Sequence, residues 1–100
     1  MDKKEIIKML IRYKDLLSKH FDLYKVFLYG SFAKGNPHED SDIDVAIIVN
    51  KIEGDFFYYA PIPWRLRREI DNRIEPVLLE KGKDPSGFLE EIMKTGIEIT

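Results

Sequence analysis

The sequence predicts an α+β fold of layered α/β type: a three-stranded mixed sheet carrying about four helices. Three observations support this. Val26 to Tyr29 and Ile43 to Val49 are short, β-rich apolar runs; Ile74 to Leu79 is a third, reached through a helical stretch; and both ends of the chain carry apolar residues at helical spacing. At 100 residues, 44% hydrophobic and 34% charged, the chain reads as a single globular domain, residues 1–100, with one small core rather than a disordered segment. The absence of cysteine excludes disulfides, thiolate zinc sites and thiol nucleophiles. No apolar run approaches the ~20 residues needed to span a bilayer, so a cytoplasmic protein without membrane contact is expected.

The elements follow in order. Asp2 with Glu5 forms a capping-box pattern, and Ile6, Leu10, Tyr13 and Leu17 then recur at helical spacing, predicting a helix over 3–19. The first strand stops at Gly30, after which Ser31 to Lys34 suits one helical turn and Gly35, Asn36 and Pro37 turn the chain. Pro63 suits the first turn of a helix running to residue 73, with Leu66 and Ile70 inward and Arg65/Glu69 and Arg67/Asp71 paired on the wet side. Asp84-Pro85 starts a last helix with Phe88, Leu89, Ile92 and Met93 inward and Gly96 as its stop. Ile97 and Ile99 alternate with polar residues, as an extended, docked tail would. A short loop makes strands one and two antiparallel, and a right-handed crossover makes strands two and three parallel. The end of the first strand and the starts of the other two then meet at one edge.

Charge concentrates at that edge. Net charge is only −2, yet Glu39, Asp40, Asp42 and Asp44 fall within six residues. On a strand, Asp42 and Asp44 at i and i+2 point the same way. Two such charges ~5 Å apart repel by about 3 kcal/mol at an effective dielectric of 20, a cost that a divalent cation reverses; Mg²⁺ suits carboxylates combined with phosphate oxygens. Spacing alone leaves this reading level with that of a solvated acidic strand start. Gly30-Ser31 adds a different chemistry, because a bare α-carbon admits a phosphate and the following N–H groups donate to it. A Gly-Ser dipeptide alone is a common turn; its combination with Asp42-Ile43-Asp44 is far more specific.

Gly30-Ser31-Phe32-Ala33-Lys34-Gly35 followed by Ser41-Asp42-Ile43-Asp44-Val45-Ala46 resembles the signature of the DNA polymerase beta type nucleotidyltransferase superfamily, and size and spacing resemble its minimal members, the MNT proteins. The resemblance implies a nucleotidyltransferase (DNA polymerase beta-like) fold and an enzyme that transfers a nucleoside monophosphate from ATP or another triphosphate to a hydroxyl, releasing pyrophosphate. It implies Asp42 and Asp44 as ligands of Mg²⁺, two ions being expected, and Ser31 and Gly30 at a terminal phosphate, with Lys34 at a position where relatives carry Arg or Lys. The third catalytic carboxylate corresponds to Glu75. The family usually has Asp there, so this is a departure in reach, while Pro76 fits an edge strand. Arg73, abutting the third strand, is the best of the nearby arginines for the triphosphate.

Larger relatives append a helical domain that holds base and acceptor, and residues 80–100 leave no room for one. The resemblance therefore implies a partner chain. MNT proteins pair with all-helical HEPN proteins as antitoxins, some adenylylating a tyrosine of the HEPN toxin. Phe56, Phe57, Tyr58, Tyr59, Ile62 and Trp64, in a predicted loop, suit such a partner or a lid folded over the core. Two alternatives stay open: a catalytic subunit acting on a small molecule or RNA end with a separate substrate-binding subunit, and a docking antitoxin without catalysis. Self-association and a nucleic-acid acceptor stay open as well.

Overall fold

The computed structural model describes residues 2–34 and 42–100; the side chains of Ser31 and Lys34, and the whole of Gly35 to Ser41, lie outside the described set. The elements are α1 (Lys3–Ser18), β1 (Leu23–Tyr29), α2 (Ser31–Lys34), β2 (Ile43–Val49), α3 (Phe56–Tyr59), α4 (Pro61–Leu66), a 3-10 turn (Arg67–Glu69), β3 (Ile74–Glu80), α5 (Phe88–Thr95) and β4 (Ile97–Glu98).

The sheet order is β3-β2-β1-β4, with β1 antiparallel to β2 and β4 and with β2 parallel to β3. The expected three-stranded sheet thus gains a fourth strand. It is the tail: Ile97 pairs with Leu28, Glu98 with Phe27, the Ile99 N–H donates to the Val26 carbonyl at 2.8 Å, and the Ile99 side chain is fully buried. β3 is the opposite edge, so the missing N–H of Pro76 leaves no gap in the ladder.

Alternation along β2 feeds two cores. Ile43, Val45, Ile47 and Val49 pack with Ile6, Leu10, Tyr13 and Leu17 of α1, while Ala46 and Ile48 pack with Phe27, Leu89 and Ile92. The capping box forms as expected: the Glu5 N–H donates to Asp2 Oδ1 at 2.9 Å and the Asp2 N–H reaches Glu5 Oε2 at 3.4 Å. At α5 only Leu89 and Ile92 are buried; Phe88 and Met93, expected inward, stand 40% and 39% exposed. The helix starts at Phe88 rather than Asp84, yet Asp84 still caps it, accepting from the N–H groups of Leu89 (2.9 Å) and Glu90 (3.0 Å) across the intervening turn.

The 51–73 region departs most from expectation. The predicted loop contains α3, capped by Asp55, which accepts from the Phe57 N–H at 2.9 Å, and the helix expected over 63–73 is α4 followed by a single 3-10 turn. Neither Arg65/Glu69 nor Arg67/Asp71 forms an ion pair among the described residues. Asp71 instead accepts from the Arg73 N–H (2.8 Å) and pairs with its guanidinium (3.0 Å), a local turn that ends the helix before residue 71.

Tyr13 joins α1 to α4: fully buried, its hydroxyl donates to the Pro63 carbonyl at 2.7 Å. Burial pushes its ionisation well above the ordinary tyrosine range, with the nearby Arg67 charge opposing. Tyr13→Phe leaves that carbonyl without its donor and should cost about 1–2 kcal/mol in urea unfolding. Because the folded state holds the Tyr13 proton that the unfolded chain releases, wild-type stability should fall as pH rises above about 10, and Tyr13→Phe should lack that component.

Candidate active site

Hydrogen-bond register builds the site. Tyr29 of β1 lies opposite Asp44 of β2, and Asp44 lies beside Glu75 of β3, so three side chains stand in one row across three strands. The row lies on the face that carries Ala46, Ile48 and Phe27, one residue pair beyond the apolar patch covered by α5. Asp42, two residues before Asp44, joins from the approach to β2, where the Ile43 N–H donates to the Arg73 carbonyl at 2.9 Å. The edge at which the strands were expected to meet is the edge at which they do.

Gly30 closes the corner. It leaves β1 at φ +74°, and a Cβ there would overlap the Asp44 carboxylate, with Asp44 Cγ only 3.2 Å away. The bare α-carbon is therefore what lets Asp44 sit against the end of β1. Ser31 opens α2 directly after it, and its side chain, like that of Lys34, is outside the described set.

Electrostatics mark the cluster as under-compensated. Burial pushes the Asp44 carboxyl above the usual carboxylate range, and the negative charge of Asp42 adds to the shift. Glu75, although exposed, is also raised. Loss of hydration at the crowded strand start comes first, then the charge of Asp42 and a hydrogen bond shared with it, then Asp44, while Arg67 pulls the other way. The Tyr29 hydroxyl is raised by its own burial and by both Asp44 and Glu75. Arg73 is engaged by Asp71 through contacts of 2.8 to 3.2 Å, and that pairing holds the Asp71 carboxyl below the usual range.

Among the described residues, no group of three His, Cys, Asp or Glu side chains already stands in a metal-holding arrangement. The donor set is nonetheless all carboxylate oxygen, the chemistry that suits Mg²⁺, and a cation would offset the mutual repulsion that raises Asp44 and Glu75. The residues fit the ion.

Tyr29 was not among the sequence candidates, and Arg67 was expected on the wet side of its helix. Tyr29 enters through register, and its ring is met edge-on by exposed Phe88 at 5.7 Å and 85°. Arg67 points inward, its Nη1 donating to the carbonyls of Asn72 (2.7 Å) and Ile74 (3.0 Å). The available signal for Arg67 was Trp64 three residues earlier, over whose ring its guanidinium lies at 4.6 Å.

Comparison with known proteins bears on the family and the fold. The family model described as "Polymerase beta, Nucleotidyltransferase" matches residues 12–100. A Methanocaldococcus jannaschii protein, provisionally named a protein adenylyltransferase, is 30% identical over 99 residues, covering 95% of this chain and 99% of its own length. Among solved structures, a Sulfolobus solfataricus protein provisionally described as a nucleotidyltransferase superposes with TM-score 0.69 at 18% identity, over 96% of this chain and 80% of its own. A toxin–antitoxin solved with AMP-PNP gives TM-score 0.61 at 20% identity, and a mutant of the toxin–antitoxin MntA–HpeT gives 0.58 at 17%; each match covers all of this chain and 73% of the other. At these identities the solved structures speak for the fold.

Two measurements test the cluster. Gly30→Ala should destabilise by more than the ~1–2 kcal/mol expected for left-handed backbone alone, and adding Asp44→Ala should recover the excess but not the backbone strain. The folded pKa values of Asp44 and Glu75 are raised, so their contribution to stability is full below about pH 4 and is lost as pH rises. In metal-free thermal melts, Asp42→Asn should therefore gain stability relative to wild type between about pH 4 and neutrality.

Proposed function

The chain belongs to the polymerase beta nucleotidyltransferase family and is a nucleotidyltransferase; on that premise we propose that it transfers AMP from ATP to a tyrosine hydroxyl of a helical, HEPN-type partner chain, as the antitoxin of a toxin–antitoxin pair. The observation that carries the reading is the meeting of Asp42, Asp44 and Glu75 at one corner of the sheet beside Gly30. The name of the M. jannaschii relative supports protein as the acceptor, and the toxin–antitoxin assemblies with the same fold support the pairing.

In this reading Asp42, Asp44 and Glu75 hold Mg²⁺, two ions in all, while Gly30, Ser31, Lys34 and Arg73 accommodate the triphosphate. Bound Mg²⁺ supplies charge stabilisation for the attacking and leaving oxygens. The chain itself orients the nucleotide so that the acceptor oxygen lies in line with the bond to the leaving pyrophosphate. The acceptor oxygen bonds to the α-phosphorus, the bond from that phosphorus to the bridging oxygen breaks, and pyrophosphate departs. Glu75, on the edge strand and open to solvent, takes the hydroxyl proton.

The acceptor chain has a surface to meet. Phe57 and Tyr58 are 80% and 72% exposed, and Phe56 and Trp64 are also exposed, whereas Ile62 is buried and Tyr59 packs against Phe21. The 56–64 segment is thus lid and patch at once. Beside it on the helical layer, a groove of about 470 Å³ between α1 and the 3-10 turn is lined by Ile11, Leu16 and Ile70 among charged neighbours. Exposed aromatic clusters of this kind mark protein interfaces. The same surface would serve an antitoxin that docks without transfer.

The test is incubation with Mg²⁺, labelled ATP and the co-expressed partner. Label should appear on a partner tyrosine, should need Mg²⁺, and should fall about 10²-fold or more with Asp42→Asn or Asp44→Asn. A tight complex that never becomes labelled would overturn transfer in favour of docking, and label on RNA or a small molecule would reassign the acceptor.

A further inference from the structure

We propose that Arg67 is the positioning residue of the candidate active site: it ties the helical layer to the start of β3 and so fixes where Glu75 presents its carboxylate. The proposal rests on the nucleotidyltransferase reading for what Glu75 does, but not for how Glu75 is held.

β3 has a neighbour on one side only, and the Arg73 carbonyl is turned to that side, where it accepts from Ile43. Strand alternation then turns the Ile74 carbonyl to the other side, where no strand pairs with it among the described residues. Arg67 supplies the missing donor: Nη1 reaches the Ile74 carbonyl at 3.0 Å and the Asn72 carbonyl at 2.7 Å, spanning the turn into the strand. The peptide group held in this way is the one that joins Ile74 to Glu75.

The side chain is fixed at its own end as well. Its guanidinium lies over the Trp64 ring at 4.6 Å, and its buried Nε has no hydrogen-bond partner among the described residues. A charged donor left unmatched indicates that the remaining contacts hold it in place against solvation. Its charge also acts on Glu75 with the sign opposite to that of Asp42 and Asp44. Asp71, the partner expected for Arg67 from sequence, is taken by Arg73, so Arg67 is directed inward.

The full chain is compared as wild type, Arg67→Met, which keeps the packing but cannot donate, and Arg67→Lys, which keeps the charge and one donor direction. In the free protein, amide exchange at Ile74 and Glu75 should quicken about tenfold in Arg67→Met, with α5 amides changing less than about twofold. Emission from Trp64, the sole tryptophan, should shift as the stack is lost. In the transfer assay, kcat should fall about 10–100-fold with KM for ATP little changed, and Arg67→Lys should recover part of the loss. Should Arg67→Met fail to fold, the same exchange and emission readings on Arg67→Lys decide, with smaller shifts in the same direction expected. Unchanged exchange at Ile74 and Glu75 would overturn the proposal, as would a raised KM with kcat intact, which would make Arg67 a nucleotide ligand. Should the wild-type chain transfer nothing, the enzymatic reading falls, and the free-protein exchange alone decides the role of Arg67.

Discussion

The molecule depends on the hydrogen-bond register of β2, paired antiparallel on one side and parallel on the other. The register sends alternate residues of β2 into two cores, and both cores fill with aliphatic and aromatic side chains. The same register extends past the cores and sets Tyr29, Asp44 and Glu75 in one row. Apolar burial over the length of the strand thus stabilises an arrangement that is unfavourable at its mouth, where carboxylates crowd each other without a cation. A slip of one residue would turn every β2 side chain to the opposite face, destroying core and site together. The site is precise because it is the end of a ladder that cannot shift.

Much of this could be read from residue order. The spacing of Ile6, Leu10, Tyr13 and Leu17 is a local signal, and α1 buries those four residues. Asp42 and Asp44 declared themselves by spacing and by their place at the head of an apolar strand. Glu75 was reachable through resemblance, and register then placed it beside Asp44. What escaped was decided by tertiary competition. For Arg67 the i,i+4 acid suggested a wet helix face, but a 3-10 turn has about three residues per turn, so the side chain leaves in another direction. Asp71 had two arginines within reach and took the one two residues away. The two residues of β4 are too few to show periodicity, and their pairing with β1 spans some 70 residues of sequence. For α3 the capping signal, Asp55 before an aromatic run, was present but was outweighed by the exposure of that run.

Two side chains tie α1, α4 and the start of β3 together. Tyr13 anchors α4 through the Pro63 carbonyl, and Arg67 anchors the start of β3 through two further carbonyls. Pro63 directly precedes Trp64 in sequence, and the Arg67 guanidinium lies over the Trp64 ring. The exposed aromatic surface and the carboxylate row are therefore linked through Arg67, which stacks on exposed Trp64 and holds the carbonyl that precedes Glu75.

The position of β4 has a consequence for synthesis. β1, β2 and β3 can associate as soon as residue 80 has emerged, and with them every member of the acidic row, but the outer edge of β1 stays open until residues 97–99 arrive. During that interval a short apolar strand containing Val26, Phe27 and Leu28 offers unpaired backbone groups to any neighbouring chain. The vulnerable interval in folding falls after the acidic row has assembled and before β4 has sealed the edge of β1.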